Sequence, residues 1–256
     1  PCKLREINLI GQDTTLFGSD LYGSSKLPEL LRKLTSLKNS VEWIRLLYTH
    51  PAHYNEEIIH ALRDEKKMCK YLDLPIQHSN DTILKSMNRH TTKREITDLI
   101  EKIRRDIPDI TLRTSIIVGF PGETEDIFKE LLSFLSETRF EKLGAFIYSA
   151  EESSRAAGFK GQIPDKIKKQ RFEEVMKLQQ KISNDINRSF MGRTVDVLID
   201  EKIDGEKERF AARTQGDAPE VDGCVYVSGK DLKVGEFRRV KITDTLEYDL
   251  VGEVII

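Results

Sequence analysis

Residues 112–124 read LRTSIIVGFPGET, and this stretch decides the fold class of the chain. A run rich in β-branched residues ends in Gly-Phe-Pro-Gly, and a segment with helical spacing follows at 124–135. The pattern predicts a buried parallel strand, a tight loop and a helix, and α/β folds bind ligands at such strand ends. Arg113 and Ser115 lie two positions apart and therefore share one face of the strand. Because a buried Arg is costly without an anionic partner, Arg113 is expected to meet either an acidic group of a ligand or an internal carboxylate.

The same alternation of strand and helix patterns runs through the first two thirds of the chain. Strands are predicted at 5–10, 42–48, 70–74, 110–118 and 142–148, with helices between them. Repeated strand–helix units with short connections predict an α/β domain on a parallel sheet. The length is too short for a closed eight-stranded barrel, so a partial barrel or an open sheet is expected. A long helical pattern at 164–188 ends this domain, which is predicted to span residues 1–187.

A second domain is predicted to span residues 188–256, where the sequence pattern changes. Short alternating segments separated by Gly and Asp turns predict a small all-β barrel. Barrels of this kind often bind RNA, which normally requires a basic face. Residues 188–256 contain 11 Lys and Arg against 15 Asp and Glu, a net charge of −4. RNA binding is therefore disfavoured, apart from a local patch of Arg238, Arg239 and Lys241.

Composition narrows the class of protein further. The chain has 256 residues, 33% of them charged, and a net charge of −2. No apolar run approaches the roughly 18 residues of a membrane span, so no membrane partner is expected. Three separated cysteines, Cys2, Cys69 and Cys224, form no Cys-x-x-Cys pair, which fits a reducing cytoplasm and argues against a disulfide scaffold or a complete metal site. The abrupt entry into a strand near residue 5 suggests a piece of a longer protein.

Every predicted strand of the first domain carries polar residues at its end or in the loop that follows. They are Gln12, Asp13 and Thr14; His50 and His53; Gln77, His78 and Ser79; Arg113, Ser115 and Glu123; and Tyr148 and Ser149. Because the ends of parallel strands meet on one rim, this set predicts a polar ligand with carboxylate, amine and hydroxyl groups. Tyr148 would stack on a planar ligand or pack at the rim. The spacing of His50 and His53 occurs in metal sites, but Pro51 places them in a loop without an obvious third ligand. Hydrogen bonding is therefore favoured over a metal hydrolase that would use both together with His78.

Four motifs resemble those of a known family in sequence and in order. They are GQDTT at 11–15, LPIQHS at 74–79, RTSIIVGFPGET at 113–124 and FIYS at 146–149. They resemble the radical S-adenosylmethionine methylthiotransferases, and the second domain looks like the TRAM domain of that family. The segments YSAEE at 148–152 and DAPEVDG at 217–223 resemble the branch that methylthiolates an aspartate of a small-subunit ribosomal protein. The acidic second domain agrees with that branch, because the branches that modify tRNA usually carry a more basic TRAM domain.

The resemblance implies S-adenosylmethionine lying across the strand ends of a partial (β/α) barrel. Gln12 and Asp13 would lie near its methionyl end, and Gln77, Arg113 and Ser115 would contact its carboxylate or ribose. Val118 and Gly119 would flank the adenine, with His78 and Tyr148 completing the cofactor-binding set. The TRAM domain would dock the ribosomal protein through Asp217, Glu220 and Asp222.

The chain departs from the family in its cysteines. The family holds one [4Fe–4S] cluster on Cys-x-x-x-Cys-x-x-Cys and a second on three cysteines of an N-terminal domain, and neither set occurs here. A cluster needs about three or four thiolates, so this chain alone is expected to be inactive. The resemblance implies two [4Fe–4S] clusters in the longer protein and an electron donor such as flavodoxin. A tRNA adenosine methylthiotransferase and a non-catalytic module that binds a ligand or RNA remain the alternatives.

Overall fold

The first domain is built on five parallel strands that lie side by side in chain order. The structure is a computed structural model that describes residues 4–152, 154–205 and 208–255; Cys2 lies outside this range. The strands are β1 (Glu6–Leu9), β2 (Trp43–Leu46), β3 (Met68–Asp73), β4 (Thr111–Val118) and β5 (Lys142–Ile147). In a doubly wound sheet the strand order reverses at one point, whereas here each strand lies beside the next one in the chain, as in a (β/α) barrel. The expected α/β domain with a partial barrel is confirmed.

Helices connect the strands and cover one face of the sheet, as right-handed crossovers require. They are α1 (Ser19–Tyr22), α2 (Leu27–Ser36), α3 (Glu56–Asp64), α4 (Asp81–Ser86), α5 (Lys93–Asp106), α6 (Glu125–Thr138) and α7 (Asp165–Arg188). The apolar residues of α2 to α7 share one core with the sheet, whereas α1 has no buried residue; α7 follows β5 and connects the two domains. Local signals fix where they begin: Asn55 caps α3, and Thr92 with Glu95 forms a capping box at α5. None of the helices among the described residues is both long and apolar enough to cross a membrane.

The side chains of β4 alternate between the two faces of the sheet, as the sequence pattern predicts. Leu112, Thr114, Ile116 and Val118 are buried on the helix side. Arg113 and Ser115 are half-buried on the opposite face, which we call the inner face.

The second domain is a closed barrel of five strands. They are β6 (Thr194–Lys202), β7 (Arg209–Arg213), β8 (Val225–Ser228), β9 (Phe237–Thr245) and β10 (Leu250–Val254), in the order β10-β8-β7-β6-β9. Closure removes the sheet edges that an open sheet would expose, and the inward side chains form a separate apolar core. The expected small all-β barrel is confirmed. Helix α7 ends at Arg188 and β6 begins at Thr194; the division into 1–187 and 188–256 remains a prediction.

The barrel packs on the inner face of the sheet through buried ion pairs. Arg45 on β2 is fully buried, with Nε 2.9 Å from Glu6 Oε1 and Nη1 donating to the Gln215 carbonyl at 2.7 Å. Arg213 of the barrel reaches Glu6 Oε2 at 2.9 Å and Asp200 at 2.7 Å. The charges on the inner face are therefore neutralised across the boundary between the two domains, which fixes how the barrel sits on the sheet.

Candidate functional site

A cavity of 860 Å³ opens at the carboxyl ends of β4 and β5, where the sequence predicts a ligand. The residues that line it are Gln77, Lys85, Ser86, Met87, Asn88, Arg89, Ile117, Phe120, Phe146, Ile147, Tyr148, Ser149, Ser154, Arg155, Ala156 and Phe159. Half of these sixteen residues are aromatic or aliphatic, five are uncharged and polar, and three are cations. Such a mixture in a volume of this size is typical of small-molecule sites.

The backbone of β4 holds Gln77 in the cavity wall. Gln77 N–H donates to the Ser115 carbonyl at 2.9 Å, and the Gln77 carbonyl accepts from Ile117 N–H at 2.8 Å. Gln77 has φ of 69°, a left-handed conformation that is costly for a non-glycine residue and is concentrated at functional sites. The two backbone hydrogen bonds offset that cost and fix the position of the Gln77 backbone, from which the side-chain amide extends.

Tyr148 packs at the other wall of the cavity. Its backbone N–H donates to the Val118 carbonyl at 2.9 Å, and its ring meets the edge of Phe120 at 5.1 Å between centroids. Lys168 Nζ lies 5.4 Å from the ring centroid. The Tyr148 hydroxyl is buried and has no hydrogen-bond partner among the described residues. An unpaired buried hydroxyl is costly, so this group fits a site that is completed by a polar ligand atom or by water.

Below the cavity, Glu123 fixes the loop that follows β4. Its carboxylate is fully buried and accepts the Gly119 N–H at 3.1 and 3.0 Å, and Arg171 Nη1 from α7 donates to it at 2.8 Å. His78 Nε2 lies 3.4 Å from Glu123 Oε2. Sequence analysis included Glu123 among the strand-end residues but gave it no role, and it missed Arg171. The position of an Arg on the apolar stripe of α7 was the signal that could have identified Arg171.

Three predicted cofactor residues have groups that are engaged inside the protein. His78 is fully buried, and its Nδ1 accepts from the N–H groups of Ser79 and Asn80, both at 2.9 Å. Val118 is fully buried on the helix side of β4, away from the inner face. The Gly119 N–H is already bonded to Glu123. Internal hydrogen bonds and core packing therefore occupy His78 Nδ1, the Val118 side chain and the Gly119 N–H, and the cofactor roles of these three residues stay predictions.

Gln12 and Asp13 lie in the loop after β1, beside the His50 and His53 segment. Asp13 Oδ2 is 2.6 Å from His53 Nδ1, and its other oxygen caps the short turn at Thr15. Atoms of Asp13, His50 and His53 that could ligate a metal lie within 4.8 Å of one another, and His78 does not belong to this group. His50 Nδ1, however, accepts the Ala52 N–H at 3.2 Å, as expected for a hydrogen-bonding role. Burial lowers the pKa of His50 from 6.5 to about 4. Gln12 is exposed, and neither Gln12 nor Asp13 lines the cavity that holds Gln77 and Tyr148.

Arg113 meets internal carboxylates, the second of the two outcomes expected from the sequence. Its Nη1 donates to Asp73 Oδ1 at 3.0 Å, and its Nε lies 3.5 Å from Asp222 Oδ1 in the barrel. The side chain is 17% exposed and does not line the cavity, so of Gln12, Gln77 and Arg113, which were expected to contact one ligand, only Gln77 lines this cavity. Ser115 is half-buried beside Arg113 on the inner face.

Two predicted docking residues are buried between the domains instead. The Asp217 side chain is 9% exposed and accepts from Lys142 Nζ at 2.6 Å, and the Asp222 side chain is 3% exposed. Burial opposes ionisation of Asp217, but Lys142 and Thr214 hold its pKa below the ordinary value; burial raises the pKa of Asp222. Asp217 and Asp222 therefore join the barrel to the sheet and are not available to a partner. Glu220 is exposed and stays a docking candidate.

The described cysteines do not fit an iron–sulfur cluster. Cys69 is buried on the inner face of the sheet, where burial raises its pKa to about 12. Cys224 belongs to the barrel, and burial raises its pKa to about 11. Three or four converging thiolates are required, and residues 4–152, 154–205 and 208–255 contain only these two cysteines.

Comparison with known proteins gives matches along nearly the whole chain. The family model "Radical SAM superfamily" matches residues 3–135, and "TRAM domain" matches residues 191–255. The chain is 48% identical to the ribosomal protein uS12 methylthiotransferase RimO of Clostridioides difficile (strain 630), over 98% of this chain and 56% of that relative. It is 46% identical to the protein of the same name from Desulfitobacterium hafniense (strain Y51), with the same coverage. The chain thus spans a little over half the length of these curated relatives.

One solved structure extends the likeness to the fold of both domains. Coproporphyrinogen III oxidase from Escherichia coli, described as a radical SAM enzyme, aligns with a TM-score of 0.55 at 14% identity. The alignment covers 95% of this chain and 55% of the oxidase chain. At this identity the likeness concerns the fold alone.

Proposed function

Since the chain belongs to the radical SAM superfamily, we propose that it forms the cofactor-binding and substrate-docking part of a methylthiotransferase. The proposed reaction adds a methylthio group to the β-carbon of an aspartate in a small-subunit ribosomal protein. The observation that carries the proposal is the 46–48% identity, over 98% of the chain, to enzymes named ribosomal protein uS12 methylthiotransferase. The proposed location is the cytoplasm, where the ribosome is found.

The cavity at the ends of β4 and β5 is the proposed site of S-adenosylmethionine, which supplies the radical and the methyl group of such chemistry. Phe146 and Tyr148 offer aromatic faces suited to a planar adenine, and the Gln77 amide can donate to and accept from its polar atoms. Arg113 is engaged by two carboxylates, so we assign the cofactor carboxylate to Arg89 or Arg155, which line the same cavity. The Tyr148 hydroxyl would gain a partner from the ligand.

The iron–sulfur ligands are proposed to lie in a part of the polypeptide outside this chain. We propose two [4Fe–4S] clusters there, reduced by an electron donor such as flavodoxin. The residues of this chain would bind and orient the cofactor and would exclude water from it with the aromatic walls of the cavity.

The surface charge of the barrel favours a protein target over RNA. Arg239 on β9 faces Asp196 on β6 across the ladder, and Lys241 faces Glu253 on β10. Carboxylates at these paired positions lower the local positive potential, which disfavours binding of a phosphate backbone. Glu220 remains the proposed contact with the basic surface of a ribosomal protein.

A deletion strain tests the proposal directly. Mass spectrometry of ribosomal proteins and of tRNA nucleosides should reveal loss of a methylthio group from one aspartate and no change in tRNA. The complete polypeptide should restore the modification, and Gln77→Ala should restore it poorly, whereas the exposed control Gln170→Ala should act like the wild type. Loss of a methylthio adenosine with unchanged ribosomal proteins would overturn the proposal in favour of a tRNA enzyme. No change in either pool would favour a binding module.

A further inference from the structure

A continuous series of hydrogen bonds and ion pairs runs from the barrel to the strand ends, and the proposed chemistry does not use it. It starts at Asp222, in the loop between β7 and β8. Asp222 Oδ2 accepts from the Tyr71 hydroxyl at 2.7 Å and from Ala218 N–H at 2.9 Å. Its Oδ1 lies 3.5 Å from Arg113 Nε on the inner face. Asp222 therefore has partners in both domains: Ala218 in the barrel domain, and Tyr71 and Arg113 in the sheet.

The second part of the series crosses the sheet through Asp73. Arg113 Nη1 donates to Asp73 Oδ1 at 3.0 Å, and Asp73 Oδ2 accepts the Tyr48 N–H at 3.0 Å. The Asp73 carbonyl also accepts the Thr49 N–H at 3.2 Å. Tyr48 has φ of 54°, a left-handed conformation that persists only where the surroundings hold it. Asp73 supplies that support just past the end of β2.

The last part reaches the loop that carries Gln12 and Asp13. The Tyr48 carbonyl accepts from Thr14 N–H at 3.0 Å, and the Thr14 hydroxyl donates to the Leu47 carbonyl at 2.7 Å. Thr14 follows Asp13 directly. Every link between Asp222 and this loop is thus a direct contact.

We propose that Asp222 is a positioning residue for the cofactor: by seating Arg113 against Asp73, the docked barrel holds the backbone of Tyr48 and Thr14 that shapes the loop of Gln12 and Asp13. The inference rests on the proposed function and extends the cofactor site beyond the cavity of β4 and β5, because this loop follows β1 at the same carboxyl-end rim of the parallel sheet. A connected path is not by itself coupling, so the coupling has to be measured. The chain offers a matched control, since Lys142 and Asp217 form a second buried ion pair between sheet and barrel at 2.6 Å. None of the contacts described for that pair reaches the strand ends.

The experiment compares Asp222→Asn with Asp217→Asn in the complete polypeptide. Hydrogen exchange without cofactor should reveal faster exchange in peptides that contain Thr14 and Tyr48 for Asp222→Asn alone. Equilibrium dialysis should give an S-adenosylmethionine affinity at least about fivefold weaker for Asp222→Asn, the lower end of typical coupling between sites, and an unchanged affinity for Asp217→Asn. Tyr71→Phe, which removes one hydrogen bond from Asp222 and touches nothing at the rim, should have a smaller effect in the same direction. It also serves as the second variant should Asp222→Asn fold poorly.

A double-mutant cycle distinguishes positioning from general loosening of the interface. If Asp222 acts through Thr14, Asp222→Asn should have little further effect on affinity in a Thr14→Val background. Equal effects of Asp222→Asn and Asp217→Asn, or wild-type exchange at Thr14 and Tyr48 in both Asp222→Asn and Tyr71→Phe, would overturn the inference. If the wild-type polypeptide fails to bind S-adenosylmethionine, the proposed function fails, and the exchange comparison alone then decides whether Asp222 holds the loop.

Discussion

Replacing Glu123 with Gln should destabilise the first domain far more than any exposed substitution near it. The Glu123 carboxylate is fully buried and holds three groups at once: the Gly119 N–H, the Arg171 guanidinium and, at 3.4 Å, the His78 ring. Gln has nearly the same shape but no charge. The substitution therefore tests the charge of this group with little change in packing.

The size of the effect follows from what Arg171 loses. The Arg171 side chain is buried, and breaking a buried ion pair from one side costs about 3–5 kcal/mol because the other charge stays uncompensated. Arg171 Nη1 keeps its bond to the backbone carbonyl of residue 123, which is 2.7 Å long in the wild type, and the single oxygen of the Gln amide can still accept from the Gly119 N–H. These remaining contacts favour the lower end, about 3 kcal/mol. At roughly 2–4 °C per kcal/mol for a domain of this size, the melting temperature should fall by about 6–12 °C.

Urea and thermal unfolding followed by circular dichroism measure this loss. The control is Glu125→Gln, because Glu125 lies 3.6 Å from the same Arg171 but is 64% exposed, and an exposed pair contributes at most about 1 kcal/mol. The double variant Glu123→Gln with Arg171→Met should recover much of the stability, since it leaves no unpaired buried charge. Equal losses for Glu123→Gln and Glu125→Gln would refute the reasoning.

Three further predictions follow from the site. Burial lowers the pKa of His50 from 6.5 to about 4, so the contribution of neutral His50 to stability is complete above pH 6.5 and is lost as the pH falls toward 4. In His50→Gln, the free energy of unfolding measured in urea should therefore depend less on pH between 4 and 6.5. The same pH dependence as in the wild type would contradict this. Gly119→Ala should lower the melting temperature more than Gly122→Ala, because both residues have left-handed φ but only at Gly119 would a Cβ meet Lys168, at 2.4 Å; equal losses would mean that this contact is not limiting. Cys69, whose pKa burial raises to about 12, should resist iodoacetamide until the protein unfolds, and labelling of the native protein, read by mass spectrometry, would count against its burial.

The sequence alone predicts the strands of the first domain well, because their signals are local. Alternation on β4 separates Arg113 and Ser115 from Leu112 and Ile116, and the predicted strand at 110–118 differs from Thr111–Val118 by one residue. The partner of Arg113 was not predictable in the same way. Sequence left a ligand and an internal carboxylate open. Asp73 meets Arg113 through the register of β3 and β4, whereas Asp222 reaches Arg113 only through the docking of the barrel.

Motif positions were recognised more reliably than the roles of single residues within them. His78 and Val118 belong to recognised motifs, yet both are fully buried. Whether a motif residue faces the ligand or supports the loop depends on which face it occupies and on which backbone groups need partners. For His78, Nδ1 supplies an acceptor to two backbone N–H groups, and nothing in the local pattern marks that need.

The charge argument for a protein target changes once the barrel is seen on the sheet. The net charge of −4 for residues 188–256 includes Asp217 and Asp222, which are buried against Lys142 and Arg113 of the first domain. Because paired and buried carboxylates contribute little to the outer field, the count overstates how acidic the free surface of the barrel is. A protein target is better argued from the positions of the charges than from the net charge. Arg239 and Lys241 on β9 face carboxylates on neighbouring strands, which lower the local positive potential, and RNA binding depends on such a potential. Two of the acidic residues that suggested a docking surface in the sequence, Asp217 and Asp222, thus act inside the molecule, where they join the two domains.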